Sequence, residues 1–438
     1  MKKKVLLTIL FVTILGLLYV SAAKRPKKEY QRPSLHLVLI SSEEPTCDDT
    51  TLIPFVSKAW NTYELPTLYN DFKIPFNEVK AGRVKGSFME LLKQYGDPDA
   101  FANLTLEQLK ELKTLLDGKG YLDELKKYTD SCANEVAHQL LRKWWCIQDN
   151  GEWSDTLINR LACYSATQNA VSDARQTSEG TVALMNKLAD ATIATTFVAF
   201  SKVSFYENEP LAKFTYNLTM KIAELSGVPL APVELGAKKA YDAIKDGYSA
   251  YSNTVLYKLE WNDSIATLFY SCWDGNKINM DKFNSMTFPM TCLGTDKAQA
   301  ITAMNKKNKE LGVDGIVIKT IHKNMNKQIV KLQNTYEEFK PMVPILEVNE
   351  TEKYMLADMG TKESITQKDK FDVLMPITDE DGITTYKKLG VVGVVKGGIW
   401  DNEDISNEDL GDELMGTKLT LYKGATAGLF VKKQKTKK

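Results

Sequence analysis

The stretch TTFVAFSKVSFYENE, residues 195–209, decides the fold. Phe197, Ala199, Ser201, Val203 and Phe205 fall on one side of an extended chain, and Val198 and Phe200 fall on the other. β-Branched and aromatic residues in this alternation predict a β-strand. The stretch YSNTVLYKLEWND, at 251–263, alternates in the same way. We therefore predict two strands, near 195–206 and 251–261, at the centre of the chain.

Helical patterns surround these two strands. Residues 49–190 are mainly helical, and Thr105 and Gln108 within them form a capping box. Residues 234–248, between the strands, have helical character, and 316–339 carry an apolar stripe at spacings of three and four. Two strands separated by a helical segment predict an α+β body that is mainly helical and has a small β-sheet.

Length and composition are typical of a globular protein with two or three domains. The chain has 438 residues, of which 43% are apolar and 26% charged, enough to bury a sizeable core. Lys and Arg together number 56, as do Asp and Glu. Because neither sign of charge dominates, the composition does not indicate nucleic-acid binding.

The N-terminus has the layout of a secretory signal peptide. Three lysines precede an apolar run from Val5 to Val20, which ends in the small residues 21–23. We predict a signal peptide over 1–23 and a basic linker over 24–33. The alternative is an uncleaved membrane anchor, because the apolar run nearly spans a bilayer. Cleavage would remove three lysines and no acids, so the net charge would change from 0 to −3.

The C-terminal part of the chain is rich in strand formers and turns. The stretch YKKLGVVGVVKGGIWDN, at 386–402, has four glycines, as a phosphate-binding loop would. Such a loop needs a following helix, and no helical pattern follows here. Gly390 and Gly393 are better interpreted as bulge or corner positions in a strand. We therefore predict that the α+β body spans 34–343 and that 344–438 form an SH3-like β-barrel.

The six cysteines bear on export, because an oxidising compartment permits disulfides. Cys272 and Cys292 flank a segment rich in turns and form the favoured pair. The alternative is free thiols in a core too large to need disulfides. No CxxC motif occurs, which disfavours zinc.

No catalytic motif stands out in the sequence. None of the three histidines lies near Ser, Cys or Asp in a recognisable motif, and neither GxSxG nor HExxH occurs. The acidic run 379–381 lacks the ligand spacing of a calcium loop, which favours a solvated hairpin turn. The run 401–413 is interpreted as a solvated loop, with calcium binding as the minor alternative. We predict no catalytic residue, no cofactor and no metal site.

Several stretches together resemble a group of uncharacterised exported proteins of Bacteroidota. They are TTFVAFSKVSF, SNTVLYKLEWNDSIATLFY, NKQIVKLQNTYEEFK and, in the tail, KFDVL and DEDGITTYKKLGVVGVVKGGIWDN. The tail is also loosely similar to the C-terminal barrel of flagellar assembly protein T. The resemblance covers residues 130–435 and implies an envelope location and an α+β body followed by a barrel. It implies no catalytic residues.

The resemblance also implies a modification. Proteins of this group are glycosylated at Asp-Ser/Thr followed by an apolar residue or Thr, a pattern that occurs at Thr50, Thr156 and Ser264. Two of these triplets lie where helix caps are expected, and capping alone explains them.

We expect a non-enzymatic cell-envelope protein, in the periplasm or associated with the outer membrane, that acts as an adaptor or assembly factor. Its barrel would bind an envelope protein, with Trp400 and Asp401 as candidate contact residues, although Trp400 also suits the core. Two alternatives stay open. One is a hydrolase of envelope polymer whose active site assembles only in the fold, and the other is a periplasmic adaptor anchored in the inner membrane.

Overall fold

The structure is a computed structural model. It describes residues 33–42, 52–63, 79–81, 99–109, 112, 119–165, 189–363, 365–378, 384–401 and 415–434. The predicted signal peptide, most of the predicted linker and the acidic run at 379–381 lie outside these residues. Contacts divide the chain into two compact units that meet in sequence at Lys340 and Pro341.

The first unit contains helices and strands in mixed order. The helices are α1 (Ile53–Thr62), α2 (Asp99–Ala102), α3 (Lys119–Trp144), α4 (Thr156–Ser165), α5 (Asn208–Leu225), α6 (Leu230–Ile244), α7 (Asp263–Tyr270), α8 (Met280–Ser285), α9 (Lys306–Lys309) and α10 (Gly312–Thr335). The strands are β1 (Ser34–Ser42), β2 (Val79–Ala81), β3 (Thr196–Glu207), β4 (Gly247–Leu259), β5 (Trp273–Asp274), β6 (Lys277–Ile278) and β7 (Met290–Ala303).

A five-stranded sheet in the order β2-β1-β3-β4-β7 organises this unit. Strand β1 runs parallel to β2 and β3, whereas the pairs β3–β4 and β4–β7 are antiparallel. Strand β7 is therefore an edge of the sheet. Strands β5 and β6 pair separately as a short ribbon.

Both faces of the sheet are covered, which explains the almost continuous apolar sequence of β3. One face packs against α3, and its buried residues include Val136, Leu140, Trp144, Val198, Phe200 and Val255. The other face packs against α1 and α10, and its buried residues include Val56, Phe197, Phe205, Val317, Ile321 and Leu332. The first unit is thus a three-layer arrangement of helices, sheet and helices.

The expectation of a mainly helical body with a small sheet is wrong for this unit. Strands β3, β4 and β7 have 12, 13 and 14 residues, longer than an ordinary strand. Strand β7 was not predicted, because its glycine, alanines and charged residues are unlike typical strand formers. The chain does combine helices and sheets, but the sheet is the central layer.

The second unit is built from strands: β8 (Met342–Asn349), β9 (Tyr354–Ala357), β10 (Lys370–Thr378), β11 (Thr384–Gly393), β12 (Thr417–Thr420) and β13 (Phe430–Lys433). They form a six-stranded sheet in the order β11-β10-β13-β8-β9-β12. All of its ladders are antiparallel. Its core includes Val343, Met355, Phe371, Val373, Leu419 and Val431.

The predicted SH3-like barrel is wrong, because this sheet is open. Among the described residues, its outermost strands, β11 and β12, share no ladder, and a single isolated bridge joins Val394 to Leu419. Strand β11 ends at Gly393, and Gly397 takes a left-handed φ of +72° in the turn that follows. Beyond Gly393, Val395 donates to the Lys418 carbonyl and Lys418 donates to the Gly398 carbonyl, so separate backbone bonds join the two edges in place of a ladder.

The glycines of the tail lie in a strand and a turn. Gly390 and Gly393 belong to β11, and the register with β10 shifts between Val373 and Leu374, opposite Gly390 and Lys388. A Cβ atom at Gly390 would lie 2.4 Å from the Tyr422 ring. Glycine is required there because the ring packs directly on the strand backbone.

Candidate interaction surface

Helices α5 and α6 form a hairpin between β3 and β4, which are neighbours in the sheet. The base of the hairpin is well anchored. Leu211 and Phe214 on α5 are buried beside Tyr206 of β3, and the buried Asn208 amide donates to the Thr302 carbonyl. The hairpin therefore leaves the sheet from a fixed base.

The return to the sheet depends on Gly247. This residue has φ +128°, and a Cβ atom there would lie 2.1 Å from the Thr302 carbonyl oxygen. Only glycine fits both the conformation and the close approach. The direction in which α6 enters β4 is therefore fixed.

The distal part of the hairpin is apolar and exposed. After Ala223 of α5 no residue is buried until Ser249, within a stretch that the structure describes throughout. Five large apolar side chains here are 37%, 40%, 45%, 42% and 60% exposed: Ile222, Leu225, Val228, Leu230 and Leu235. We name these five residues, with the connecting residues 226–229, the hairpin tip.

The backbone of the hairpin tip is held by local bonds. Gly227, with φ +66°, donates to the Glu224 carbonyl, and Val228 donates to the Ala223 carbonyl. These two bonds form a Schellman motif that closes α5. Pro229 directly precedes α6, where its fixed φ suits a helix start. The hairpin tip is therefore preorganised.

Helix α6 packs against α5 through a stripe of half-buried, mainly apolar side chains. The half-buried side chains of α6 recur four, four and three residues apart: Val233, Ala237, Tyr241 and Ile244. The ring of Tyr241 lies 6.2 Å from that of Tyr216 on α5. Leu235 falls outside this stripe, whereas Leu230 continues its spacing at the first turn of α6; both side chains are exposed.

The apolar side chains of the hairpin tip together expose a substantial area. The five side chains at these exposures present on the order of 400 Å² of apolar surface, comparable to the largest patch of a typical monomer, which is often functional. Residues 225–233 carry no ionisable side chain. The connecting stretch of the hairpin tip is therefore uncharged, and Glu224 and Glu234 flank it on the two helices.

The whole hairpin is electrically neutral. Residues 208–246 contain five acidic and five basic side chains, and 5 − 5 gives zero. Three of the charge pairs are within ion-pair distance: Lys213–Glu209 at 2.8 Å, Lys221–Glu224 at 3.1 Å and Lys245–Asp242 at 2.9 Å. A neutral hairpin is not attracted electrostatically to anionic lipid or nucleic acid.

A cluster of titratable groups lies where α3 crosses the sheet. Tyr257 donates to the Asp130 carboxylate at 2.6 Å, and Lys126 pairs with the same carboxylate at 2.6 Å. Burial raises the pKa of Asp130, but the hydrogen bonds from Lys126 and Tyr257 lower it by more, so the pKa is below its ordinary value. The hydrogen bond to Asp130 raises the pKa of Lys126. This cluster holds charges in place and supplies no activated nucleophile.

The cysteines near this cluster are protonated at neutral pH. Burial raises the pKa of Cys132 to about 11 and also raises the pKa of Cys272 and Cys292. A protonated thiol is a poor nucleophile and a poor metal ligand. Cys272 and Cys292 are free thiols in the structure, and the Cys272 sulfur contacts that of Met286 at 3.2 Å. Their pairing in an oxidising compartment stays a prediction.

The three histidines lie in three separate contacts. Nε2 of His36 lies 2.8 Å from the Ser34 hydroxyl. Nε2 of His138 lies 2.8 Å from a backbone carbonyl, that of Met286, and Nε2 of His322 lies 2.9 Å from the carbonyl of Ala59. The structure thus gives each imidazole a packing role and brings no two of them together.

The structure places most of the other predicted site residues. Thr156 and Ser264 are exposed at the starts of α4 and α7, while Thr50 lies outside the described residues. Trp400 is 9% exposed, so its ring belongs to the interior. The exposed Asp401 accepts a hydrogen bond from Thr361.

The described residues contain neither a metal-binding cluster nor a membrane-spanning helix. No group of three His, Cys, Asp or Glu side chains among them is arranged to hold a metal ion. Nor does any helix there combine the length and apolarity needed to cross a membrane. The acidic run after Asp401 lies outside the described residues.

Comparison with known proteins gives no family. No family model matches the chain, and no curated protein matches it. The hairpin tip is therefore the feature on which a functional hypothesis rests.

Sequence patterns did not reveal the hairpin tip, although its residues were visible. The stretch LSGVPLAPV, at 225–233, is an uncharged run with two prolines between helical segments. An uncharged run of this kind is equally typical of a buried turn. Only the packing of α6, mainly on one other helix, shows that these side chains face solvent.

Proposed function

We propose that this chain is a non-enzymatic cell-envelope protein, an adaptor or assembly factor, that binds a protein partner through the hairpin tip. The observation that carries the proposal is the exposed apolar surface at the end of a hairpin whose base is anchored. Export to the periplasm or the outer-membrane region, through the N-terminal segment 1–23, is part of the same proposal.

The partner chemistry follows from the hairpin tip. An uncharged, apolar end is complemented by an uncharged apolar groove, and that groove must admit two packed helices, about 20 Å across. A protein is favoured over a lipid surface because the hairpin carries no net positive charge, and anionic lipids attract basic segments.

Preorganisation also favours a specific protein interface. Ordering flexible side chains and loops on binding costs about 0.5–1.5 kcal/mol for each immobilised side chain. The bonds at Gly227 and Val228 already fix the backbone of the hairpin tip. Less ordering is then required, so a small apolar surface suffices for useful affinity.

Site-specific photo-crosslinking in the envelope of the native host tests this proposal. A photoreactive residue is placed at Val228 or Leu235 and, as a matched control, at Ala243, which is exposed on α6 near the base of the hairpin. We expect one adduct of discrete mass from each tip position and none from Ala243. The N-terminus of the same sample is sequenced, since a start near Lys24 shows cleavage and a start at Met1 shows an anchor.

The partner is then purified and its affinity for two variants is measured by calorimetry. Leu235→Asp should weaken binding at least 30-fold, about 2 kcal/mol for a central apolar contact. Ala243→Asp introduces the same charge on the same helix outside the hairpin tip and should change affinity by less than about twofold.

Other outcomes overturn the proposal. An adduct with twice the mass of the chain means that the hairpin tip binds a second copy. Crosslinks to lipid, with flotation of the protein on vesicles, mean a membrane contact. No adduct at either tip position, in a preparation where the chain is folded, means that the hairpin tip is not a binding surface.

A further inference from the structure

Three lysines of α10 donate hydrogen bonds to the exposed edge of the sheet. The Lys323 ammonium lies 2.8 Å from the Ile301 carbonyl oxygen, and that of Lys327 lies 2.9 Å from the Gln299 carbonyl oxygen. The third, Lys331, lies 3.1 Å from the carbonyl oxygen of Lys297. We name this set of three bonds the lysine ladder.

The lysine ladder forms because the spacing of the lysines along α10 nearly matches the spacing of the carbonyls along β7. The lysines recur every four residues along α10, about 6.0 Å, and the carbonyls recur every two residues along β7, about 6.8 Å. As the residue numbers of the lysines rise along α10, the residue numbers of their carbonyl partners fall along β7. The helix and the strand therefore run in opposite directions. Flexible lysine side chains absorb the small difference, and each ammonium reaches one carbonyl.

The register of α10 on β7 is set by other contacts. The buried Asn324 amide donates to the Ala298 and Ala250 carbonyls at 2.9 and 3.0 Å. Lys331 also pairs with Asp296 at 3.0 Å, and Asp296 is 7% exposed. Small residues at 298 and 300 let the helix approach the strand closely. The three lysines are therefore held beside the edge.

Edge strands are templates for strand addition. Among the strands that the structure describes, β7 pairs on one side with β4 and ends the sheet on the other. In an antiparallel strand the N–H and C=O groups of one residue point to the same side, so residues 297, 299 and 301 present both groups outward. Proteins block such edges with charged side chains, lysine above all.

We infer that the lysine ladder closes the β7 edge against strand addition by a second copy of this chain. Residues 297 and 301 lie evenly on either side of Gln299, so an antiparallel pair of β7 strands centred there would have the two-fold symmetry that is commonest in soluble dimers. An incoming strand meets ammonium groups where its own N–H groups would donate. Strand addition then requires three charged hydrogen bonds to break first.

The test compares three full-length variants of the chain. Lys323→Met, Lys327→Met and Lys331→Met together keep the apolar side-chain stems and remove the donors and charges. The corresponding triple Lys→Arg variant keeps both. Lys319→Met is the matched control, because this lysine lies on the same helix and donates to Asn308 instead of the strand.

Two measurements are made on each variant. The first is binding of a synthetic peptide with the sequence of Thr295–Ala303, followed by fluorescence anisotropy. The second is hydrogen exchange at the outward amides of residues 299 and 301, as a function of protein concentration. Exchange at named amides separates pairing through β7 from any association through the hairpin tip.

We expect the triple Met variant to bind the peptide on the order of tenfold more tightly than the unchanged chain and to gain protection at these amides as concentration rises. The Arg variant and Lys319→Met should behave like the unchanged chain. If the triple variant fails to fold, the single Lys327→Met variant, which opens the middle of the edge, is measured in the same way. Peptide binding and exchange that are unchanged in a folded Met variant overturn the inference.

Discussion

Helices α6 and α10 both contact β7, and both carry apolar residues at spacings of three and four. Helix α10 buries a stripe of Val317, Ile321, Met325, Ile329 and Leu332 against the sheet. None of the residues of α6, all of which the structure describes, is buried. The same sequence pattern thus stabilises the fold in one helix and remains exposed in the other. The difference is the neighbour: a sheet for α10, and mainly one other helix for α6.

The sharpest test of this comparison is one substitution made in both helices. Leu332→Ala removes a fully buried side chain of α10, so the free energy of unfolding should fall by about 2–5 kcal/mol. Leu235→Ala removes a side chain that is 60% exposed, and the change should stay below about 0.5 kcal/mol. Urea unfolding followed by tryptophan fluorescence measures both, since six of the seven tryptophans lie before residue 341.

Equal losses from the two leucine variants would break the comparison. That result would mean that α6 packs against the first unit as tightly as α10 does. The hairpin tip would then be part of the core, and the proposed binding surface would not exist.

A second test addresses the polar side of α10. Asn324→Ala removes the amide that donates to two strand carbonyls in a buried site, which should lower the free energy of unfolding by about 1–3 kcal/mol. Asn334→Ala changes the same residue type at an exposed position of the same helix and should have little effect. The same urea titration measures both, and a negligible effect of Asn324→Ala would show that the apolar stripe alone holds α10.

The smallest expected effect is an increase in the stability of α6. Gly236 lies inside the helix, and a Cβ atom there meets nothing within 4 Å. Gly236→Ala should stabilise α6 by about 0.5–1 kcal/mol, because alanine loses less backbone entropy on helix formation. Hydrogen exchange of the α6 amides measures this gain.

Gly315 of α10 is the control for that gain. A Cβ atom there would lie 2.9 Å from the Leu311 side chain, so Gly315→Ala should gain less. An equal gain at both glycines would mean that crowding does not distinguish the two helices. A loss at Gly236 would mean that α6 is more tightly packed than its exposure indicates.

Local patterns predicted individual elements well. Thr105 and Gln108 form the expected capping box, with backbone-to-side-chain distances of 2.8 and 3.3 Å. Asn262 caps α7 by accepting a hydrogen bond from the Ile265 N–H. Both features need only residues three positions apart, so short-range sequence contains the information they require.

Patterns failed where an element depends on a distant neighbour. Strand β7 has alanine at 298 and 300, where α10 packs closely over it. Alanine is not a typical strand former, so the sequence of β7 does not indicate a strand. The barrel was predicted from strand number and length, but closure depends on how the chain turns after Gly393. Neither feature is encoded within a short window.

The lysines of the ladder were visible as a four-residue repeat at 319, 323, 327 and 331. The repeat alone indicates a solvated helix face, which is the ordinary interpretation of regularly spaced lysines. Their carbonyl partners lie about 20 to 35 residues earlier, in a strand that was not predicted. The role of the repeat became visible only when helix and edge were placed side by side.

The sequence by itself determined the helix caps, the central strands, the long apolar stripe of α10 and the strand character of the tail glycines, because each depends on neighbours within a few residues. The tertiary structure shows which apolar stripe is buried, that the second sheet stays open, and that three lysines meet the carbonyls of the last strand in the described sheet. All three features depend on contacts between segments that are far apart in sequence. Periodicity can be recognised within one segment, but whether a side chain is buried depends on the segment that packs against it.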